Sequence, residues 1–182
     1  MADNYNLAKL FEAQKVLEER IVKEHNLQGC NLLPHKFLAL QVELGELANE
    51  QRTWKYWSKD QKPRKSIPKV EWANGKPNKV IKNPLLEEYV DCLHCVLDIG
   101  LEIDANINRV FTTEVYPETV TQFNRLYREI GSLWDYGRLP RYYWIVEMFI
   151  GLGSILGFTW EQIEDAYFEK NETNHKRQEQ GY

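Results

Sequence analysis

Two carboxylate pairs, Glu43/Glu46 in QVELGELANE and Glu88/Asp91 in LLEEYVDCLHC, are each spaced i,i+3 within a strongly helical apolar pattern. That spacing puts both members of a pair on one face of a helix. At about 100° per residue, Phe37, Leu40, Leu44, Leu47 and Ala48 make one apolar face, and Glu43, Glu46 and Glu50 run along its border. Leu85, Tyr89, Cys92, Leu93, Val96 and Ile99 make a broader apolar face, edged by Glu88 and Asp91. Packing the two apolar faces together brings both acidic edges to one seam. Four like charges there repel one another unless a cation sits among them, and a hard divalent ion such as magnesium prefers oxygen ligands.

A single ExxE more often marks a solvated helix face; two such pairs bordering the core on consecutive helices favour a metal site. Di-iron carboxylate bundles need Glu-x-x-His on two helices, whereas this chain offers Asp91-x-x-His94 once. Magnesium usually arrives with phosphates, and two metals can activate water and stabilise a leaving oxygen, so nucleoside triphosphate cleavage is the leading chemistry.

The rest of the chain is also helical in pattern. A first helix is expected over Asn6 to Lys23, with Leu7, Leu10, Phe11, Val16, Leu17 and Ile21 as its apolar residues. Pro34 starts a second helix reaching about Trp54, and Asn83-Pro84 opens a third ending near Ile103. Pro117-Glu118 opens a fourth that stops near Gly137, and Pro140 a fifth that ends near Gly157. Thr159 caps a sixth, with Gln162 completing a capping box. Between the second and third helices, Asn74-Gly75 is a tight-turn signal flanked by β-prone runs, which predicts a small β-hairpin near 69–81. The expectation is one all-α domain over 1–182, a bundle of about six helices with that β-hairpin inserted.

Net charge is −4, which argues against a protein that coats nucleic acid. The charge is uneven: Lys55 to Lys82 holds nine Lys or Arg against Asp60 and Glu71, about +7, leaving about −11 elsewhere. This stretch is either a solvated Lys-rich loop or a cationic lip beside an anionic-substrate pocket. The longest apolar run, around Trp144 to Leu156, is broken by Glu147 and glycines and is too short for a bilayer. Three cysteines and no signal peptide point to a reducing, cytoplasmic setting without membrane attachment. Cys92-x-x-Cys95 lacks the second pair a zinc site needs, and core packing is expected for Cys92. For Trp54 and Trp57, spacing alone also suggests core packing. Gly151 and Gly153 follow no strand, and close helix packing is their expected use.

Near the C-terminus, Lys170, Asn174 and Arg177 form one helical stripe, and Gly181-Tyr182 ends the sequence. Lys and Arg neutralise phosphate charge; a charged surface helix is the plainer alternative. ELGELANE, TWKYWSK, EEYVD and KNETNHKRQEQGY together resemble the dimeric dUTP pyrophosphatases, of the all-α MazG-like nucleoside triphosphate pyrophosphatase group. The resemblance runs from Gln14 to Tyr182. The 42 residues from Glu46 to Glu88 exceed the family's expected length, and the hairpin accounts for the excess.

The resemblance implies an enzyme that hydrolyses dUTP, and dUDP, to dUMP with release of pyrophosphate or phosphate. Glu43, Glu46, Glu88 and Asp91 become magnesium ligands for two or more ions, with manganese a possible substitute. Glu43, Glu46 and Glu50 become the catalytic carboxylates; Glu50 orients water, and a group such as Glu46 positions the attacking water or takes its proton. Lys170, Asn171, Asn174, Arg177, Tyr182 and Lys59 become phosphate contacts, and Gln14 and Trp57 line the uracil pocket. A homodimer is implied, for which the apolar stretch Tyr142 to Phe149 is the expected interface. A MazG-like pyrophosphatase of broader nucleotide choice and a non-enzymatic helical interaction protein are the alternatives.

Overall fold

A computed structural model describes residues 4–73, 76–133 and 138–181. Six helices are present among them: α1 (Ala8–Glu24), α2 (Leu33–Gln51), α3 (Pro84–Glu102), α4 (Thr119–Leu133), α5 (Arg138–Ile155) and α6 (Trp160–Glu179). Two-residue strands β1 (Tyr5–Asn6) and β4 (Val110–Phe111) pin the N-terminal segment to the loop after α3. Strands β2 (Ile67–Ala73) and β3 (Lys76–Lys82) form an antiparallel hairpin, paired from Ile67↔Lys82 to Ala73↔Lys76. The expected all-α bundle with a hairpin is therefore what the chain forms. The turn residues Asn74 and Gly75, the expected helix stop at Gly137, and Tyr182 lie outside the described residues.

The helix ends follow local chemistry. Asn83 accepts a hydrogen bond from the Leu86 amide, and Pro84 occupies the first turn of α3, where its missing N–H costs nothing. At α6, Thr159 accepts from the Gln162 amide and the Gln162 side chain accepts from Thr159 N–H. Helix α2 ends at Gln51, short of Trp54, because Arg52 takes a left-handed conformation with φ 70°. The chain then runs irregularly to Ile67.

Helix α3 is the hub. It packs along α2 and also meets α1, α5 and α6, while α4 lies on α5. This explains its unusually broad buried surface, from Leu85 through Tyr89, Cys92, Leu93 and Val96 to Ile99. Three glycines permit closest approach. The Tyr142 hydroxyl donates to the Val96 carbonyl at 3.0 Å; a Cβ on Gly100 would run into the Tyr142 and Phe11 rings. A Cβ on Gly153 would stand 2.7 Å from the Tyr89 hydroxyl, which itself donates to Phe149 O. Close packing is thus the use of Gly153, and Gly151 likewise lies against the Glu114 backbone.

Three apolar expectations are corrected. Val16 is 60% exposed, because the buried face of α1 is narrower than its run of apolar residues. Trp54 and Trp57 are surface residues, packed edge-on against each other rather than in the core. Tyr142, Ile145, Val146, Met148 and Phe149 are buried within the subunit against α3 and α4, so these side chains are not available to a partner, while Trp144 between them is 38% exposed. No single helix among the described residues is long and apolar enough to cross a membrane.

Candidate active site

Packing α2 on α3 brings the two acidic edges together as the periodicity requires. Glu43, Glu88 and Asp91 each offer a carboxylate oxygen within 4.8 Å of the others, and all three are half-buried. Glu46, one turn along α2, is exposed at the rim. Burial and mutual repulsion raise the proton affinity of two of them, Glu88 and Glu43. Burial first, then Asp91, Glu46 and Glu43, push the Glu88 carboxyl up to about 7. Burial, Asp91 and Glu46 likewise raise Glu43, with Lys170 opposing.

Lys170 is the cation facing this seam: its Nζ lies 2.5 Å from Asp91 Oδ2. Glu50 lies one turn beyond Glu46 on α2. Its Oε1 accepts from Arg64 at 3.1 Å, while its Oε2 is buried without a hydrogen-bond partner. The Arg64 amide also donates to Glu50 O, and Arg64 O accepts from Leu85 N, so the loop after α2 is stitched across the end of α2 and the start of α3. Three converging carboxylates, one orphaned carboxylate oxygen and hard oxygen donors throughout suit a hard divalent cation.

Gln14 sits behind the seam, buried between α1, α3 and α6. Its Oε1 accepts from the Tyr167 hydroxyl at 2.9 Å and stands 2.7 Å from His94 Nδ1. Burial and the charge of Lys170 lower His94 to about 3, so the ring is neutral. With Nδ1–H donating to Gln14, Nε2 is left as an acceptor, buried and without a partner. Asn171 is also buried, and its Nδ2 lacks a partner. The other expected site residues scatter. Arg177 lies on the exposed side of α6, Asn174 is half-buried one turn before it, and Lys59 is exposed in the loop after α2. Trp57 is 63% exposed, with its ring against Trp54 and Tyr56.

A family model described as dUTPase matches this chain over residues 6–75 and 71–182. The chain belongs to the dUTPase family. No curated protein matches it. Membership makes it a dUTP diphosphatase, with dUTP as its nucleotide substrate. Sequence spacing gives no sign of two contacts near the seam, His94 with Gln14 and Arg64 with Glu50. His94 is hidden beside Cys92 and Cys95, and its meeting with Gln14 spans 80 residues. Arg64 is one cation among many in a basic stretch; its position between Pro63 and the start of the hairpin gives no sign of its Glu50 contact.

Proposed function

We propose that this dUTPase hydrolyses dUTP, and dUDP, to dUMP at the α2–α3 seam with magnesium held by Glu43, Glu46, Glu88 and Asp91. The observation that carries this is the convergence of Glu43, Glu88 and Asp91 within 4.8 Å beside Lys170. Bound magnesium ions, two or more, or manganese in their place, would neutralise phosphate charge and make water a better nucleophile. The chain's residues do the rest. Glu46, at the exposed rim, takes the proton as the water oxygen bonds to the α-phosphorus and the bond to the bridging oxygen breaks. Pyrophosphate leaves from dUTP, phosphate from dUDP. Glu50, anchored by Arg64 through one oxygen, has a second oxygen without a hydrogen-bond partner and uses it to orient that water. Lys170 passes from Asp91 to a phosphate oxygen, with Asn171, Asn174, Arg177, Tyr182 and Lys59 as further phosphate contacts.

His94 and Asn171 are the polar groups best suited to read the base. A lone pair on His94 Nε2 and an N–H on Asn171 complement the N3–H and carbonyl oxygen of uracil. Gln14 fixes the His94 tautomer, and Trp57 offers a ring for stacking. Cytosine reverses that donor–acceptor pattern and would leave buried groups unpaired.

A nucleotide panel of dUTP, dUDP, dTTP, dCTP and UTP with pyrophosphate and phosphate detection tests the reading. dUTP should outpace dCTP by at least about 100-fold in kcat/KM, and His94→Phe should erase most of that margin. Equal turnover of dUTP and dTTP would exclude uracil selectivity.

The enzyme acts as one unit over 1–182, in the cytoplasm, without nucleic-acid or membrane partners, as a homodimer. Leu38 and Val42 on α2 are 61% and 50% exposed, Val120 and Tyr127 on α4 are each 36% exposed, and these apolar side chains suit contact with a partner subunit. Sedimentation equilibrium should give a dimer that Val42→Glu weakens; a wild-type monomer at micromolar concentration would refute the assignment.

A further inference from the structure

The hairpin joins α2 to α3, and its base does not stand apart from the body. Lys69 and Lys82 line a cleft of about 470 Å³ together with Glu87 of α3 and Glu169, Lys170 and Arg177 of α6. None of the four seam carboxylates lines it. Lys170 is common to both sites: it forms part of the cleft wall while its ammonium reaches Asp91 in the seam. Four cations and two carboxylates line the cleft, and Lys82 and Lys170 are each paired with a carboxylate outside it, Glu71 and Asp91. Exchange of those pairs for phosphate oxygens makes the cleft the cationic side of the seam, the polarity a polyphosphate chain would follow once its inner phosphates are neutralised.

Lys82 is engaged with Glu71 at 2.9 Å, but both side chains are substantially exposed, 38% and 43%. Such a pair contributes little and yields readily to a multiply charged oxyanion. We propose that Lys69 and Lys82 extend the phosphate site, so that the cleft between the hairpin, α3 and α6 holds the terminal phosphates of the substrate and then the departing pyrophosphate. This rests on the seam as the place of hydrolysis, and it makes the basic insertion the part of the molecule that binds the leaving group.

The test compares two double variants of the intact protein. Lys69→Ala/Lys82→Ala removes the cleft lysines. Lys76→Ala/Lys79→Ala removes the same charge from exposed hairpin positions outside the cleft. Circular dichroism checks that each keeps the wild-type fold. Calorimetric titration of pyrophosphate into chelator-treated protein, and product inhibition by pyrophosphate during dUTP turnover, should both weaken by roughly tenfold in the first variant. The second should stay within about twofold of wild type. Equal weakening in both variants would reduce the effect to net charge, and no weakening in either would leave the cleft without a phosphate; each overturns the proposal. Absence of dUTP turnover in the wild type would instead overturn the seam as the site of hydrolysis, while the titration still judges the cleft.

Discussion

Glu88→Gln should abolish nearly all dUTP turnover, a loss of roughly a thousandfold or more, while making the metal-free protein more stable at pH 8. The two effects share one origin. Burial and three neighbouring carboxylates raise the folded Glu88 carboxyl from 4.5 to about 7. A carboxyl raised in the folded state contributes stability below its unfolded value, and that contribution is lost as pH rises through the folded one. Between about pH 4.5 and 7 the metal-free seam therefore becomes steadily less favourable. A neutral amide at position 88 removes that cost, worth on the order of 1 kcal/mol once the partial exposure of the group is discounted. Magnesium should reverse the ranking: the wild type gains thermal stability, and the variant gains little. Because magnesium must displace the proton that Glu88 holds, wild-type affinity for magnesium should fall between pH 8 and pH 6. A variant that is destabilised without metal would mean the seam is an ordinary surface network. Thermal unfolding with and without magnesium at the two pH values distinguishes these results.

Lys36→Met should destabilise the protein by about 3–5 kcal/mol at pH 8. Lys36 is 8% exposed on α2, and its ammonium lies 2.8 Å from Glu18, 3.2 Å from Asp98 and 2.7 Å from Glu102. It thus ties α1, α2 and α3 at the end of the bundle away from the seam. Burial works against its charge, but Asp98, Glu102 and Glu18 outweigh it and hold the amine protonated. Removing the single cation strands three carboxylates in a poorly solvated corner. Burial and then Glu18 already push Asp98 up to about 7, against the pull of Lys36. Loss of Lys36 removes that pull and raises Asp98 further. Protonation then relieves the variant, so its deficit should shrink as pH falls from 8 to 5. Urea unfolding at both pH values reads the difference, and a pH-independent loss would instead indicate simple packing damage.

The contrast between these sites shows what periodicity can carry. The acidic seam is legible because i,i+3 spacing fixes a helix face, and two such edges beside apolar faces have one economical packing. Pro84 with Asn83, and Thr159 with Gln162, make the starts of α3 and α6 equally legible, since capping is local chemistry. Lys36 gives no sign of its role, because its three partners come from two other helices. The Gln14–His94–Tyr167 cluster is hidden for the same reason: the Gln14–Tyr167 contact joins residues 153 apart. Val16 fails differently, as apolar spacing does not report how wide a buried face will be. Spacing suggests the core for Trp54 and Trp57, yet Arg52 ends α2 before them and turns both onto the surface. The hairpin expected at 69–81 runs over 67–82, but no local pattern could place Lys69 and Lys82 beside α6.

Pyrophosphate release from dUTP, followed after exhaustive chelation and then through a magnesium titration, addresses the seam most directly. The expected result is no release in chelator, full recovery with added magnesium, and no recovery in Glu88→Gln at the same concentrations. Undiminished release in chelator, or equal recovery in wild type and variant, would contradict a magnesium-holding role for Glu43, Glu46, Glu88 and Asp91.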